Sequence, residues 1–267
     1  MQAVSVHADV IVVRSAMWQT TCTLLHRASG ADDDGPGECF VIDSPVYPDE
    51  HDVLPALLGQ AGWTLSGLLC THGDWDHLLG RLAFADAALG CAETTAARLR
   101  AEPGKAQGAL RDFDEEFYVE RPRPLSLGQV QALPVPGGVE IGDAELELVP
   151  ADGHTQDGMA IWAPWARVLV CGDYLSPVEI PMLNENGSRD AYLATLERLR
   201  PYVEQADYVV PGHGSPVEGA RALAILREDA AYLQALPDPA ATLPLARRTG
   251  AQRKVHQDNV SRMGGTA

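Results

Sequence analysis

The chain is 267 residues long with 46% hydrophobic residues, enough apolar sequence to bury the core of one globular enzyme-sized domain. Its formal net charge of −17, with no basic stripe carrying interleaved aromatics, argues against a nucleic-acid partner, and no apolar run approaches the length of about 18 residues that a membrane helix needs. The five cysteines, Cys22, Cys39, Cys70, Cys91 and Cys171, are scattered and lack C-x-x-C spacing, so buried free thiols are expected. The opening residues Met1 to His7 carry no basic region followed by an apolar stretch, so a cytoplasmic location is expected.

Residues 8–14 and 20–26 read as strands, 27–38 as a Gly/Asp-rich hairpin loop, and Cys39 to Asp43 as the next strand. Val53, Leu54, Leu57 and Leu58 recur at helical spacing within 49–60 and predict the first covering helix. Leu65 to Cys70 is a short apolar run that predicts a buried strand, with His72 emerging at its end. His77 to Phe84 continues as a helix-like stretch, and 94–101 predicts another helix. The second half predicts strands near 139–150, 159–163 and 167–171, then a helix near 189–203 with Leu193, Leu196 and Leu199 on one face. After His213, Ser215-Pro216-Val217-Glu218 offers a capping Ser, Pro at the first helical position and Glu three residues after the cap. A long helix is expected from there, with Leu223, Leu226, Ala230 and Leu233 inward, ending before Pro237.

Two segments stand apart from this regular layout. Residues 102–136 carry Pro103, Pro122, Pro124, Pro134 and Pro136 and the acidic aromatic cluster Asp112 to Tyr118. Lying between His77 and His154, the segment has two readings: a lid insertion whose Phe113, Phe117 and Tyr118 wall a substrate pocket, or a surface helix and loop packing its own aromatics on the body. Trp75 has the same alternatives, pocket wall or packing residue. Residues 241–267 form a tail beyond the main domain of 1–240 and turn basic at Arg247, Arg248, Arg253 and Lys254. A short peripheral helix with a frayed end is expected there, the alternatives being a helix docked near the site or a homodimer contact.

Chemistry-bearing residues collect at strand ends. Thr71-His72-Gly73-Asp74-Trp75-Asp76-His77 places His72, Asp74, Asp76 and His77 in one short loop, and Gly73 lets the chain turn tightly. Imidazole nitrogen and carboxylate oxygen bind zinc, iron or manganese at about 2 Å, and a catalytic site keeps a position open for water. Like charges packed so closely are costly without a cation. The same form recurs downstream: Leu148 to Ala151 leads into Asp152-Gly153-His154, Val168 to Cys171 into Gly172-Asp173, and Tyr208 to Val210 into Pro211-Gly212-His213. Val41-Ile42-Asp43 shares it without the glycine. Each piece alone reads as a turn residue or a cap. Their occurrence together, in order, points to a two-metal catalytic site.

In these motifs, Asp43, His72 to His77, His154, Asp173 and His213, the chain resembles the metallo-β-lactamase superfamily of metallohydrolases over about residues 8–235. The resemblance implies an α/β fold, a four-layer αβ/βα sandwich of two mixed β-sheets flanked by helices, with metals at one edge between the sheets. It implies two divalent metal ions, zinc first, with iron or manganese as alternatives. His72, Asp74 and His154 would hold one ion and Asp76, His77 and His213 the other; Asp173 would bridge them, and Asp43 would support the ligand loop from behind. Hydrolysis by a water bridged and activated between the metals would follow, Asp173 holding the metals and a metal-bound water or Asp76 handling protons. A small-molecule substrate is implied, an ester, thioester or lactone, because the 40 residues from Asp173 to His213 resemble the glyoxalase II-like short branch.

The chain departs from the family's commonest pattern, H-x-H-x-D-H, by placing Asp74 where the middle histidine stands. Asp74, Asp76 and Asp173 together make a harder, more anionic ligand set, which shifts the expectation toward iron or manganese. Two alternatives follow: a di-iron or mono-iron oxidoreductase of the same fold, and a metal-binding protein whose first position is impaired.

Overall fold

The computed structural model describes residues 1–30, 35 and 37–264. The first half contains β1 (Gln2–His7), β2 (Val10–Arg14), β3 (Thr21–Arg27), β4 (Glu38–Asp43), α1 (Pro48–Ala61), β5 (Leu65–Leu69), a 3-10 turn (Trp75–His77), α2 (Gly80–Ala83), β6 (Leu89–Ala92), α3 (Glu93–Ala101), α4 (Lys105–Phe117) and β7 (Gln131–Leu133). These strands form one sheet in sequential order, antiparallel from β1 to β4 and parallel from β4 to β7. The second half adds β8 (Gly137–Ile141), β9 (Ala144–Pro150), β10 (Met159–Ala163), β11 (Val168–Val170), α5 (Arg189–Gln205), β12 (Tyr208–Val210), β13 (Val217–Glu218), α6 (Gly219–Ala235), a 3-10 turn (Leu245–Arg247) and α7 (Gly250–Gly264). Its sheet runs β13-β12-β11-β10-β9-β8, with β11 and β12 parallel and the other pairs antiparallel.

Period-two side-chain alternation explains why the sheets stack between helices. On β2, Val10 and Val12 face the other sheet while Val13 faces the helices; on β10, Met159 and Ile161 face inward while Ala160 and Trp162 turn outward. The layer between the sheets joins Leu25, Ile42 and Leu69 to Leu146, Leu148 and Ile161. Outside the first sheet Leu54, Leu58 and Leu110 cover it, and outside the second Leu196, Leu199, Leu226 and Leu233 do so. This is the four-layer αβ/βα sandwich. All five cysteines are buried and free, and no helix among the described residues is long and apolar enough to cross a membrane.

Several local expectations are corrected. The Ser215-Pro216-Val217-Glu218 signal does not start the long helix: Val217 and Glu218 form a strand against Val209 and Tyr208, and the helix begins at Gly219. Covering the open edge of β12 wins over the capping pattern, and Ser215 Oγ instead accepts a hydrogen bond from Arg14. The stretch from His77 to Phe84 divides into a 3-10 turn and a four-residue helix, because Leu79 N donates to Ser44 Oγ (2.9 Å) between them. The run 139–150 is a hairpin that turns at Gly142, where φ is 55°. The strand Gln2–His7 had no sequence expectation and pairs with β2. Residues 102–136 hold a full helix, α4, and supply an edge strand, β7. Part of the 27–38 hairpin loop and the last three residues of the tail lie outside the described residues.

Candidate metal centre

Every candidate ligand sits just past a strand, at one edge of the sandwich. The loop after β5 carries His72, Asp74, Asp76 and His77; the loop after β9 carries His154, that after β11 Asp173, and that after β12 His213. Glycines let these loops pack into one place. A Cβ at Gly212 would collide with Asp173 Oδ1, and one at Gly153, where φ is 126°, with the backbone of Tyr192.

Asp43, at the end of β4, fixes the ligand loop. Its Oδ1 accepts from Thr71 N (2.7 Å), and its Oδ2 accepts from Thr71 Oγ1 (2.8 Å) and His77 Nδ1 (2.9 Å). Each histidine is held by its Nδ1: His72 on Thr71 Oγ1 (3.2 Å), His154 on the Met182 carbonyl (2.8 Å) and His213 on the Trp18 carbonyl (3.1 Å). That leaves every Nε2 pointing inward.

The inward atoms form two triplets. His72, Asp74 and His154 make one and Asp76, His77 and His213 the other, each with its ligand atoms within 4.8 Å of one another. Asp173 lies between them. Its Oδ2 is 3.2 Å from His154 Nε2 and 3.9 Å from His72 Nε2, and its Oδ1 is 3.2 Å from His77 Nε2 and 3.4 Å from His213 Nε2. His72 Nε2, His77 Nε2 and Asp173 Oδ1 are buried without a hydrogen-bond partner among the described residues. Such orphaned donors and acceptors, all aimed at one space, fit a divalent cation.

The charges agree. Burial alone would lower His77 and His154, but Asp76 and Asp173 around the first, and Asp173 and Asp74 around the second, hold both well above the usual imidazole range. His213 is raised to about 10, Asp173 and Glu179 outweighing its burial. Burial alone would raise Asp173, but His213, His77 and His154 hold it well below the carboxylate range. His77, His154 and His213 are thus favoured in the protonated form, and a metal binding there must displace those protons.

Sequence reading missed four residues here. Arg98, on α3, donates to Asp74 Oδ1 (2.7 Å) and to Asp157 Oδ1 (2.8 Å), while Asp157 Oδ2 accepts from Gly73 N (2.9 Å). Asn184 donates to Asp74 Oδ2. Glu179 faces the same cavity, its carboxyl pushed up by burial, with His213 partly offsetting that. None belongs to a compact motif; only a cation on a helix close after the loop hinted at Arg98.

A cavity of about 580 Å³ opens over Asp74, Asp76, Asp173 and His213. Trp18, Trp75, Leu99, Ile180, Met182 and Val255 give it apolar walls, and Lys105, Glu185 and Arg262 lie along it. Trp75 thus lines the cavity. Phe113 does not: it stands behind the wall, its ring centroid 4.9 Å from Trp75 and 5.3 Å from Trp18. Phe117 stacks on Phe113 (4.6 Å), and Tyr118 is 94% exposed, so neither lines the cavity. The segment's aromatics back the wall because α4 turns its Phe113 face onto the body.

The tail docks on the same cavity. Ala251, Gln252, Val255 and Arg262 of α7 line it, and Gln252 and Asn259 are buried. Gln252 Oε1 accepts from Ile180 N (2.7 Å) and Asn259 Oδ1 from Leu183 N (2.9 Å), so α7 carries the 180–184 loop. Of the dispositions expected for 241–267, the structure has the docked helix and not a peripheral one.

Residues 18–213 match the family model described as the metallo-beta-lactamase superfamily. A hydroxyacylglutathione hydrolase from Cereibacter sphaeroides is 28% identical over 202 residues, 75% of this chain and 67% of that protein. Among solved structures, a metallo-beta-lactamase family protein from Thermus thermophilus aligns with a TM-score of 0.68 at 19% identity, covering 97% of this chain and 95% of that one. The DIM-1 metallo-beta-lactamase aligns with a TM-score of 0.60 at 17% identity, covering 87% and 96%. At such identities the structural likenesses speak to the fold alone.

Proposed function

The chain belongs to the metallo-β-lactamase superfamily and is a metal-dependent hydrolase of that fold; from this premise we propose that it cleaves a small thioester, ester or lactone at a two-metal centre. The observation that carries the proposal is Asp173, whose two oxygens face different triplets. His72, Asp74 and His154 would hold one ion, Asp76, His77 and His213 the other, and Asp173 would bridge them. Zinc is the first choice for a set with four imidazoles.

When bound, the ions would supply Lewis acidity that polarises the substrate carbonyl and lowers the pKa of water from about 15.7 toward about 7. The chain's own residues do the rest. Asp76, which opens on the cavity, is placed to take the proton of the attacking water and pass it to the leaving group. Trp18 and Trp75 hold the acyl part and keep bulk water away from it. No serine or cysteine nucleophile is required.

The cavity volume of about 580 Å³ supports a small-molecule substrate, being within the usual range of roughly 300–1,000 Å³ for such sites. The name of the curated relative, hydroxyacylglutathione hydrolase, supports an acyl thioester. The net charge of −17 supports exclusion of polyanions. The test is elemental analysis of protein purified without added metal, with acyl-thioester cleavage measured before and after dialysis against a chelator. Two metal equivalents, a colourless protein and cleavage abolished by chelation are expected. A coloured iron protein that consumes dioxygen would replace the reading with oxygen chemistry, and a metal-free, inactive protein would reduce it to a binding protein.

A further inference from the structure

We propose that Arg98 is the positioning residue that makes an aspartate serviceable at the second place of the ligand loop, by offsetting its charge and fixing which oxygen faces inward. The inference rests on the two-metal reading above. Asp74, Asp76 and Asp173 put three carboxylates around the centre, where the commoner histidine at position 74 would leave two. Arg98, shared with Asp157, offsets part of the difference. Its Nη2 lies 2.7 Å from Asp74 Oδ1, and only 14% of its side chain is exposed, so the pair is screened from solvent.

The guanidinium cannot swing away, because its other arm is spoken for. Nη1 lies 2.8 Å from Asp157 Oδ1, and Asp157 Oδ2 takes the backbone N–H of Gly73 at 2.9 Å, so the arginine is tied to the loop that carries Asp74. With Oδ1 engaged by Arg98, Asp74 presents Oδ2 to the site, 3.7 Å from His72 Nε2 and 3.5 Å from His154 Nε2, and Asn184 Nδ2 donates to that oxygen from the side. A carboxylate whose outer oxygen is ion-paired offers a metal one inner oxygen of reduced charge, closer to the single donor that an imidazole offers. The anionic charge that the third carboxylate adds is thereby partly offset, Arg98 being shared with Asp157, and the centre moves toward the charge of a histidine-type zinc site.

A structural role for Arg98, closing the Asp157 clamp, has to be separated from this one. The test background is R98M/D157N: the asparagine keeps an oxygen for Gly73 N and removes the buried charge that Arg98 also balances, which leaves Asp74 alone uncompensated. Asp74→His is then added to it. Zinc is titrated into the metal-free full-length proteins, with circular dichroism melting to confirm the fold. Unmodified protein should take two equivalents. R98M/D157N should bind the weaker of the two at least about tenfold less tightly, and D74H/R98M/D157N should bring both back. Rescue by a change at position 74 cannot come from repairing a clamp. Unchanged affinity for both equivalents in R98M/D157N, or a folded triple variant no better than the double, would overturn the role of Arg98 and leave the two-metal reading standing. Fewer than two equivalents in the unmodified protein would overturn that reading and this inference with it.

Discussion

The two candidate ligand triplets are built on different foundations. His77 and His213 rest on early strands: His77 on Asp43 at the end of β4, and His213 on the Trp18 carbonyl, beside the bridge that joins it to Thr20. Asp74 and His154 rest on later, peripheral pieces. Arg98 of α3 and Asn184 grip Asp74, and the Met182 carbonyl orients His154. Met182 and Asn184 belong to a loop that α7 carries through Gln252 and Asn259 and that Arg247 braces at the Ser176 and Glu179 carbonyls. One half of the centre is thus part of the sheet edge, while the other depends on segments that assemble around it. Damage to the shared root should empty the whole centre, and damage to the later pieces should empty only half.

The root is Asp43, so Asp43→Ala carries the largest expected effect. The change leaves Thr71 N, Thr71 Oγ1 and His77 Nδ1 without their acceptor in a buried place. At about 1–3 kcal/mol for each unsatisfied group, the loss is on the order of 3–9 kcal/mol. His72 and His77 lose their orientation together. Metal content should fall toward zero and the melting temperature by on the order of 10 °C. Retention of one full equivalent would break the comparison, since Asp43 would then serve only one half.

Asn259→Ala separates the halves. The fully buried Asn259 side chain accepts from Leu183 N and donates to the Pro181 carbonyl (2.8 Å) and Tyr232 Oη (3.0 Å). Its removal should cost roughly 2–3 kcal/mol and loosen the loop that orients His154 and Asp74. Zinc content should drop toward one equivalent, and adding His154→Ala should cost no second equivalent, because both changes strike the same half. Two retained equivalents would show that the loop holds its shape without α7.

A smaller effect, confined to the sheet-edge half, depends on pH. His51 on α1 donates through Nε2 to the Pro45 carbonyl (2.7 Å), just past Asp43, and burial pushes its pKa down to about 4, the Pro45 bond only partly offsetting this. An unfolded histidine titrates near 6.5. The unfolded chain therefore binds a proton that the folded chain refuses, so this stability is complete above about pH 6.5 and is lost as pH falls toward 4, by at most about 3 kcal/mol. His51→Gln keeps a donor and removes the titration. Denaturant unfolding of the metal-free protein between pH 4 and 7 should show a flatter profile for the variant, and parallel profiles would remove His51 as the cause.

Half of this architecture was legible in the sequence. The candidate ligands announce themselves because a strand end can aim a side chain only within the next few residues, so His72 to His77, Asp173 and His213 each follow an apolar run. Asp43 was readable for the same reason. The supports of Asp74 and His154 were not, because a hydrogen bond from Arg98, Asn184 or Asn259 needs tertiary proximity and leaves no local pattern. The tail misled in the same way: its buried Gln252, His256 and Asn259 are polar, so a periodicity of apolar residues does not reveal the face that docks. The Ser215 signal shows the converse, a good local pattern overridden by the need to cover a sheet edge.

The smallest change tests whether the segment around α4 belongs to either half. Tyr118 closes α4 in the left-handed region, φ 54° and ψ 43°, with its N–H on the Asp114 carbonyl and its side chain 94% exposed. A tyrosine there suffers the Cβ strain that glycine avoids, and it buries almost nothing in return. Tyr118→Gly should therefore stabilise the protein by about 0.5–1 kcal/mol, raise its melting temperature by a few degrees, and leave zinc content and the KM for an acyl thioester unchanged. Phe113→Ala is the contrast, since that ring backs Trp18 and Trp75: KM should rise several-fold while both equivalents of zinc remain. If Tyr118→Gly instead raised KM as Phe113→Ala does, the exposed tip of α4 would be reaching substrate, and the cavity wall would extend beyond the residues that now line it.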